Sequence, residues 1–207
     1  MAFDTATATA WIIRCADEVR AAEARLTALD AAIGDGDHGA NLARGLAAAV
    51  SSLTDKAPDT PGGVLVAAGR GLVAKTGGAS GPLYGSGLRK AGKALGDETD
   101  ADAAQLGEAL HAMQTGIQEL GGAAEGDKTM IDALAPAVAA FREAAPDGLA
   151  QAARAAAEAA EAGVAATVPL QARKGRASYL GERSIGHEDP GAASTAIILR
   201  ALAEVTA

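Results

Sequence analysis

The connections between the apolar segments of this chain are of two kinds, and the two kinds alternate along the sequence. Apolar residues recur at helical spacing in eight segments, which predicts eight amphipathic helices. Four connections are rich in glycine and charged residues: IGDGDHG, TGGASGPLYG, GGAAEGDKTM and LQARKGRASYLGERSIGHEDPGA. The three between them, TDKAPDTPGG, GDETDADA and APDG, are ordinary polar turns. Because alternate connections of an antiparallel up-and-down bundle lie at opposite ends, all four glycine-rich loops should meet at one end.

The composition favours an all-α fold. Hydrophobic residues make up 49% of the 207 residues and aromatic residues only 2%, so the core must consist of alanine, leucine, valine and isoleucine. Alanine is the best helix former, and no segment shows the alternating pattern of a strand. We therefore predict a single domain, residues 1–207. Its helices should run approximately over 6–29, 40–53, 63–75, 81–95, 102–120, 128–144 and 148–166, with the last beginning at Pro190 after the cap residue Asp189.

The charge balance and the single cysteine narrow the class of protein. The formal net charge is −8, whereas duplex-binding proteins are normally basic, so nucleic acid is not an expected partner. Cys15 is the only cysteine, and no intrachain disulfide can form. The N-terminus has no basic region before an apolar run, and the apolar stretches are shorter than the ~20 residues of a membrane span. We expect a cytoplasmic protein with neither a signal peptide nor a membrane segment.

The first glycine-rich loop concentrates acidic side chains. Asp30, Asp35 and Asp37 lie close together in the sequence, separated by glycines that allow a tight turn. Mg²⁺ prefers hard oxygen ligands and shares them with substrate phosphates, so these carboxylates could hold two ions against a nucleotide. The alternative is that Asp35 or Asp37 is only the N-cap of the next helix. The loop also matches GxGxxG, but a helix precedes it, so a dinucleotide-binding fold is not indicated.

The other three loops suggest phosphate binding as well. Residues 77–81 offer bare backbone, and helix N-termini at this end would carry partial positive charge; a plain helix–helix turn is the alternative. Lys128 and Thr129 follow Asp127, for which the alternative is an N-cap with a surface lysine. The last loop holds the only dense basic cluster, formed by Arg173, Lys174, Arg176 and Arg183. A basic cluster beside an acidic metal loop suggests phosphate binding, although a solvated loop is the alternative.

No group in the sequence has the pattern of a nucleophile paired with a base. His38 and His187 lie in the first and last loops, where either could bond a phosphate oxygen or simply be a polar surface residue. Cys15 is expected to pack in the core. We therefore predict no catalytic residue within this chain.

Together the loop motifs carry a family resemblance. LDAAIGDGDHGAN, GGASGPLYG, GDKTM and QARKGRASYLGERSIGHEDPGA resemble the nucleotide-binding L subunit of dihydroxyacetone kinase, and the similarity runs essentially from end to end. The resemblance implies an eight-helix antiparallel barrel with a nucleotide, ADP or ATP, across one end. It also implies that Asp30, Asp35 and Asp37 coordinate two Mg²⁺ ions.

The resemblance further implies which residues contact the nucleotide. They come from all four loops and from the helix starts beside them. The implied residues are His38, Gly39, Ala40, Asn41, Ala79, Ser80, Gly121, Met130, Arg176, Asp189, Pro190 and Gly191.

The resemblance also implies partner subunits. In the family a K subunit holds dihydroxyacetone covalently through a histidine, and the L subunit presents the phosphoryl donor. A chain with the L part alone suggests the phosphoenolpyruvate-dependent phosphotransferase type, in which bound ADP is a coenzyme rephosphorylated by an M subunit. The alternatives are an ATP-exchanging subunit that acts with a K-like partner on dihydroxyacetone or another ketose, and a non-enzymatic nucleotide-sensing module. A homodimer is a further option for the assembly of this chain.

Overall fold

The computed structural model describes residues 2–55 and 57–207. Within these residues the chain is all-α, and its only strands are two residues long each. The elements are β1 (Phe3–Asp4), α1 (Thr5–Ala21), α2 (Glu23–Ile33), α3 (His38–Asp55), α4 (Pro61–Lys75), α5 (Ser80–Leu95), β2 (Asp100–Ala101), α6 (Ala103–Gly121), α7 (Ile131–Ala144), α8 (Leu149–Thr167) and α9 (Pro190–Val205), with 3₁₀ segments at Ala145–Asp147 and Arg176–Ser184. None of the described helices is both long enough and apolar enough to cross a membrane.

The helices form a closed antiparallel barrel. Each helix from α3 to α8 packs against the next one in the chain, and α9 packs against α1. The α1 helix also packs against α3, which closes the ring. Since α1 and α2 together take the place of one long helix, this is the eight-helix up-and-down arrangement that the alternating connections predicted.

Small residues allow the helices to approach closely. Where α4 meets α5, a Cβ on Gly69 would lie 2.6 Å from the Gly85 carbonyl oxygen, so even alanine would force the two backbones apart. Where α1 meets α9, the buried Trp11 indole N–H donates to the Ile198 carbonyl at 2.9 Å. The core is therefore built from close backbone contacts and aliphatic side chains, as the composition predicted.

The first predicted helix, 6–29, is in fact broken. Ala22 has φ −93° and ψ 3°, and its N–H turns back to the carbonyls of Glu18 and Arg20. Apolar residues continue at helical spacing on both sides, with Val19 and Leu26 both buried. Because periodicity reports only which residues face the core, it could not reveal the break.

The sequence also predicted no strands, yet β1 and β2 pair antiparallel, with Phe3 opposite Ala101 and Asp4 opposite Asp100. A ladder of two residues is too short to produce an alternating pattern. The pairing fixes the start of α1 to the turn that precedes α6.

The predicted start of the last helix is confirmed. Asp189 is the N-cap of α9, and its carboxylate accepts the Ala192 N–H at 2.7 Å, with Pro190 at the first helical position. By contrast, α7 begins at Ile131 and not at Lys128, because Lys128 adopts a left-handed φ of 60° that a helix cannot contain.

Candidate functional site

A cleft of about 460 Å³ opens at one end of the barrel. We name its four loops the acidic loop (34–37), the glycine loop (76–79), the lysine loop (122–130) and the basic loop (168–189). All four contribute to the lining, and no described residue of the three polar turns does. The predicted convergence of the glycine-rich loops is therefore confirmed. The predicted site residues that line the cleft are Asp30, Asp35, Asp37, His38, Ala79, Ser80, Gly121, Met130, Arg176, Asp189, Pro190 and Gly191.

The three aspartates form a cluster at one side of the cleft. One carboxylate oxygen from each of Asp30, Asp35 and Asp37 lies within 4.8 Å of the other two. Three like charges at this spacing repel one another unless a cation lies between them. Hard carboxylate oxygens at such distances suit Mg²⁺, which also keeps positions for water and phosphate. The donor set therefore fits a magnesium site.

Asp30 also accepts backbone hydrogen bonds at the start of α3. Its Oδ2 accepts the backbone N–H of Asp37 at 2.8 Å and that of His38 at 3.2 Å. Asp37 stands at the cap position directly before α3, and its carbonyl accepts the Asn41 N–H at 2.9 Å, but no described hydrogen bond joins the carboxylate of Asp35 or Asp37 to an N–H of α3. The capping carboxylate comes instead from α2, seven and eight residues away. A Cβ on Gly34 would overlap the Asp30 carboxylate, which explains the glycine.

Three residues that the resemblance assigned to the nucleotide, Gly39, Ala40 and Asn41, do not line the cleft. Gly39 is buried against α2, and the Asn41 Oδ1 accepts a bond from the Arg44 guanidinium at 2.5 Å. A Cβ on Gly77 would lie 2.6 Å from that same oxygen. Asn41 thus supports the glycine loop from behind.

His38 joins the acidic loop to the interior of the barrel. Its Nε2 lies 3.0 Å from the Ser194 Oγ, which lies 2.8 Å from the Tyr84 hydroxyl. Burial lowers the pKa of His38, and the charges of Asp30 and Asp37 oppose that shift only in part. The ring is therefore neutral near pH 7, and its hydrogen bond fixes its orientation.

The glycine loop presents backbone to the cleft. Gly78 has a φ of 66°, which L side chains rarely adopt, and Ala79 follows it as the N-cap of α5. No side chain caps α5 there. The first N–H groups of this helix, beginning at the buried Ser80, therefore face a cleft where an anion would be stabilised.

In the lysine loop, neither the expected surface position of Lys128 nor the expected capping role of Asp127 is found. Lys128 is only 1% exposed, so the alternative of a surface lysine is wrong. Asp127 does not cap α7 either: its carboxylate accepts the Ala124 N–H at 3.0 Å, within the loop. The carboxylate at the start of α7 belongs to Asp132, which accepts the Thr129 N–H at 2.7 Å.

Asp189 is buried at the start of α9, and burial raises its pKa to about 7, although the Ala192 N–H and the Lys128 charge act in the other direction. Burial likewise lowers the pKa of Lys128, against the charges of Asp189 and Asp132. Because neither group is well solvated, this part of the cleft floor is held by hydrogen bonds in fixed positions.

The predicted basic cluster divides into two parts. Lys174 and Arg176 line the cleft, whereas Arg173 and Arg183 do not. The Arg176 Nε lies 2.9 Å from the Asp35 Oδ2, so the basic loop reaches across to the acidic loop. The His187 side chain is exposed outside the cleft, and only its carbonyl takes part, as an acceptor for Lys128.

The cleft also has an apolar wall, of which the sequence had indicated only Met130. Its members come from α5, α6 and the start of α7: Pro82, Leu83, Ile117, Leu120, Met130 and Ile131. Leu120 is 56% exposed, which is unusual for a leucine beside a core but suitable for a flat apolar ligand. Helical spacing could not have located this wall, because it does not distinguish a core face of a helix from a cleft face.

Comparison with known proteins gives the family. Residues 32–204 match the model of the DAK2 domain. The chain is 42% identical to the ADP-binding subunit of PEP-dependent dihydroxyacetone kinase 1 of Listeria innocua, over 98% of this chain and 97% of that protein. It is 38% identical to the corresponding subunit of Escherichia coli, over 93% of each chain.

The solved structures agree on the fold. The dihydroxyacetone kinase of C. freundii in its native form has a TM-score of 0.74 and 31% identity. That match covers 98% of this chain but 35% of the larger protein, so the chain spans about a third of that kinase. The same kinase has also been solved in complex with AMP-PNP and Mg²⁺, and the TM-score between that structure and this chain is 0.69. By its full-length match in sequence and its shared fold, the chain belongs to the DAK2 domain family.

Proposed function

We propose that this chain is the ADP-binding subunit of a phosphoenolpyruvate-dependent dihydroxyacetone kinase. In this proposal a magnesium–nucleotide is a bound coenzyme, an M subunit phosphorylates it, and the phosphoryl group passes to dihydroxyacetone on a K subunit. The observation that carries the proposal is a single cleft that is lined by both a carboxylate cluster and an apolar wall. Relatives matched over nearly their whole length are named as ADP-binding subunits of such kinases.

The cleft offers a separate place for each part of a nucleotide. Asp30, Asp35 and Asp37 would hold Mg²⁺, and the N–H groups at the start of α5, with Arg176, would bind phosphate. When bound, the metal would neutralise charge on the transferring phosphoryl group. The apolar wall, with Met130 and Gly121, would receive the base. Pro190 and Gly191 would form the floor between these two ends.

This chain's own contribution to catalysis would be positioning and charge. The described residues of the cleft hold no nucleophile bonded to a free base, since the half-buried His38 ring is already bonded to Ser194, which does not line the cleft. Phosphoryl transfer needs little covalent chemistry from the protein. The acceptor and its acid–base group would therefore be supplied by the K subunit. The cytoplasmic location expected from the sequence and the homodimer remain predictions.

A second candidate comes from another set of relatives. The L-erythrulose 1-kinase of Mycolicibacterium smegmatis is 41% identical over 92% of this chain, but the match covers 33% of that protein. The same cleft could therefore serve a partner that holds a different ketose, with exchanging ATP as the donor. The two candidates share every cleft residue and differ in what replenishes the phosphoryl group.

The first experiment is to purify the chain without added nucleotide and to quantify what co-purifies by mass spectrometry. A coenzyme role predicts about one ADP for each chain, retained through dialysis with Mg²⁺. A nucleotide-free protein that binds and releases ATP rapidly would contradict the coenzyme role and support the exchanging type.

The second experiment is reconstitution with a K subunit and dihydroxyacetone. The proposal predicts sustained turnover only when an M subunit and its phosphoenolpyruvate-driven donors are present. Sustained turnover with ATP alone would favour the second candidate. No turnover in either mixture, with partner binding intact, would favour a nucleotide-sensing module.

A further inference from the structure

Lys128 combines two unfavourable features, each of which calls for compensation. Among the described residues it is the only one other than glycine with a positive φ, at 60°. Its side chain is also almost fully buried, and burying an ammonium is costly unless it is hydrogen-bonded. Glycine would relieve the backbone, and its neighbour Gly126 shows that the loop uses glycine elsewhere. The lysine side chain must therefore contribute something at this position.

The ammonium is bonded to two distant parts of the chain. Lys128 Nζ donates to the Thr167 carbonyl at 2.8 Å and to the His187 carbonyl at 2.5 Å. Thr167 is the last residue of α8, where the partial negative charge of a helix C-terminus favours a cation. The Thr167 hydroxyl in turn accepts the Asp189 N–H at 2.9 Å. One buried cation thus joins the lysine loop, the end of α8 and the segment that leads into α9.

Both segments joined in this way continue directly into the cleft. Lys128 itself lies at the wall of the cleft, Met130 follows two residues later, and Pro190 and Gly191 follow His187 closely; all four line the cleft. The two segments are in close contact, since a Cβ on Gly191 would lie 3.3 Å from the Met130 backbone nitrogen. A small relative shift of the two segments would therefore change the width of the nucleotide pocket.

We propose that Lys128 is a positioning residue for the nucleotide: its buried ammonium fixes the basic loop against the lysine loop and so sets the gap between Met130 and the start of α9. The inference rests on the proposed nucleotide binding. It concerns the shape of the pocket and assigns Lys128 no direct bond to phosphate.

The test compares two variants that remove the ammonium in different ways. Lys128→Met keeps the length of the side chain, and Lys128→Gly relieves the left-handed backbone. Lys93→Met, an exposed lysine late in α5, is the matched control. Calorimetry with Mg²⁺ should show the Kd for ADP raised at least tenfold in both Lys128 variants and unchanged in the control. In the reconstituted kinase the KM for nucleotide should rise while kcat at saturation stays within about threefold.

A second measurement separates positioning from direct contact. Positioning predicts that AMP and ADP lose affinity by the same factor, because the pocket itself has changed. It also predicts faster amide hydrogen exchange in residues 186–189 without any nucleotide present.

The proposal would be overturned if the variants bound ADP with a Kd within twofold of that of the unaltered chain. A loss of affinity confined to ADP would overturn it as well. Loss of cooperative unfolding in both variants would make Lys128 a requirement for folding and would overturn it equally. An unaltered chain that fails to bind Mg–ADP would instead contradict the proposed function, and the exchange measurement would still test Lys128.

Discussion

The two ends of the barrel are held together in different ways. At the plain end, which carries the turns before α4, α6 and α8, polar side chains bond their own neighbours. Thr60 accepts the Gly63 N–H, and Asp102 forms a reciprocal capping box with Gln105. The cleft end has local caps as well, such as that of Asp189, but further side-chain bonds there join distant residues: His38 and Ser194 are 156 positions apart. The plain end has exceptions: α8 begins without a side-chain cap, β1 pairs with the distant β2, and the Thr5 hydroxyl donates to the Asp59 carbonyl at 3.0 Å.

This difference separates stability from function. A local cap can form as soon as its helix forms, and its loss weakens that helix alone. A bond between distant residues exists only once the barrel is closed, and at the cleft end it also fixes a residue that lines the cleft. Changes at the plain end should therefore lower the free energy of unfolding without affecting nucleotide binding, whereas changes at the cleft end should affect binding.

The largest effect is expected for Asp30→Ala at the cleft end. The variant loses a predicted metal ligand and the acceptor for the N–H groups of Asp37 and His38. Phosphoryl transfer in the reconstituted kinase should fall on the order of 10³-fold, because metal stabilisation of charge is worth several kcal/mol. Turnover close to that of the unaltered chain would show that the cluster holds no functional metal.

The next effect concerns Asp189 and pH. The folded chain raises the pKa of this carboxyl from 3.8 to about 7 by burial, so the folded state favours the neutral form. The stability that this provides is complete below about pH 4 and is lost as the pH rises to about 7. Asparagine caps a helix equally well. Relative to Asp189→Asn, the unaltered chain should therefore lose on the order of 4 kcal/mol of unfolding free energy across that window, because one pKa unit corresponds to about 1.4 kcal/mol.

Urea titrations of both proteins at several pH values from 4 to 8 would measure this difference. A difference that stays constant across the range would mean that Asp189 is ionised in the folded chain throughout.

A smaller effect is expected where a glycine makes room for the metal cluster. In Gly34→Ala the new Cβ would overlap the Asp30 carboxylate and move it. The Mg²⁺ affinity, measured by titration in the presence of ADP, should fall about tenfold. The control is Gly148→Ala at the plain end, where a Cβ meets open space but φ is 98°. It should cost about 1 kcal/mol of stability and leave Mg²⁺ affinity unchanged.

The smallest effect is expected for Asp102→Ala, which removes the capping box at the plain end. The free energy of unfolding should fall by about 1 kcal/mol. The Kd for Mg–ADP should stay the same, since the bonds of Asp102 among the described residues are those with Gln105, far from the cleft lining. A weaker Kd in this variant would show that the two ends are coupled, and the division drawn between them would be wrong.

Much of the fold could be predicted because its signals are local. Helical spacing located the eight helices, and the Asp189–Pro190 pair located the start of α9. Errors arose where a distant contact decided a local conformation. The start of α7 moved to Ile131 because Lys128, held by carbonyls 39 and 59 positions away, adopts a left-handed backbone.

For the candidate site, the sequence by itself determined the chemistry of the loops. Acidic residues separated by glycines, bare backbone and a basic segment are each encoded within a few neighbouring positions, and their alternation with plain turns placed them at one end. Only the tertiary structure decided which of these residues face the cleft. It placed Leu83 and Leu120 on an apolar wall, buried the Lys128 side chain at the lining of the cleft and gave Asp30 a capping bond beside its predicted metal role. The reason is physical: spacing along a helix records that a side chain is apolar or charged, but the surface it meets belongs to parts of the chain far away in sequence.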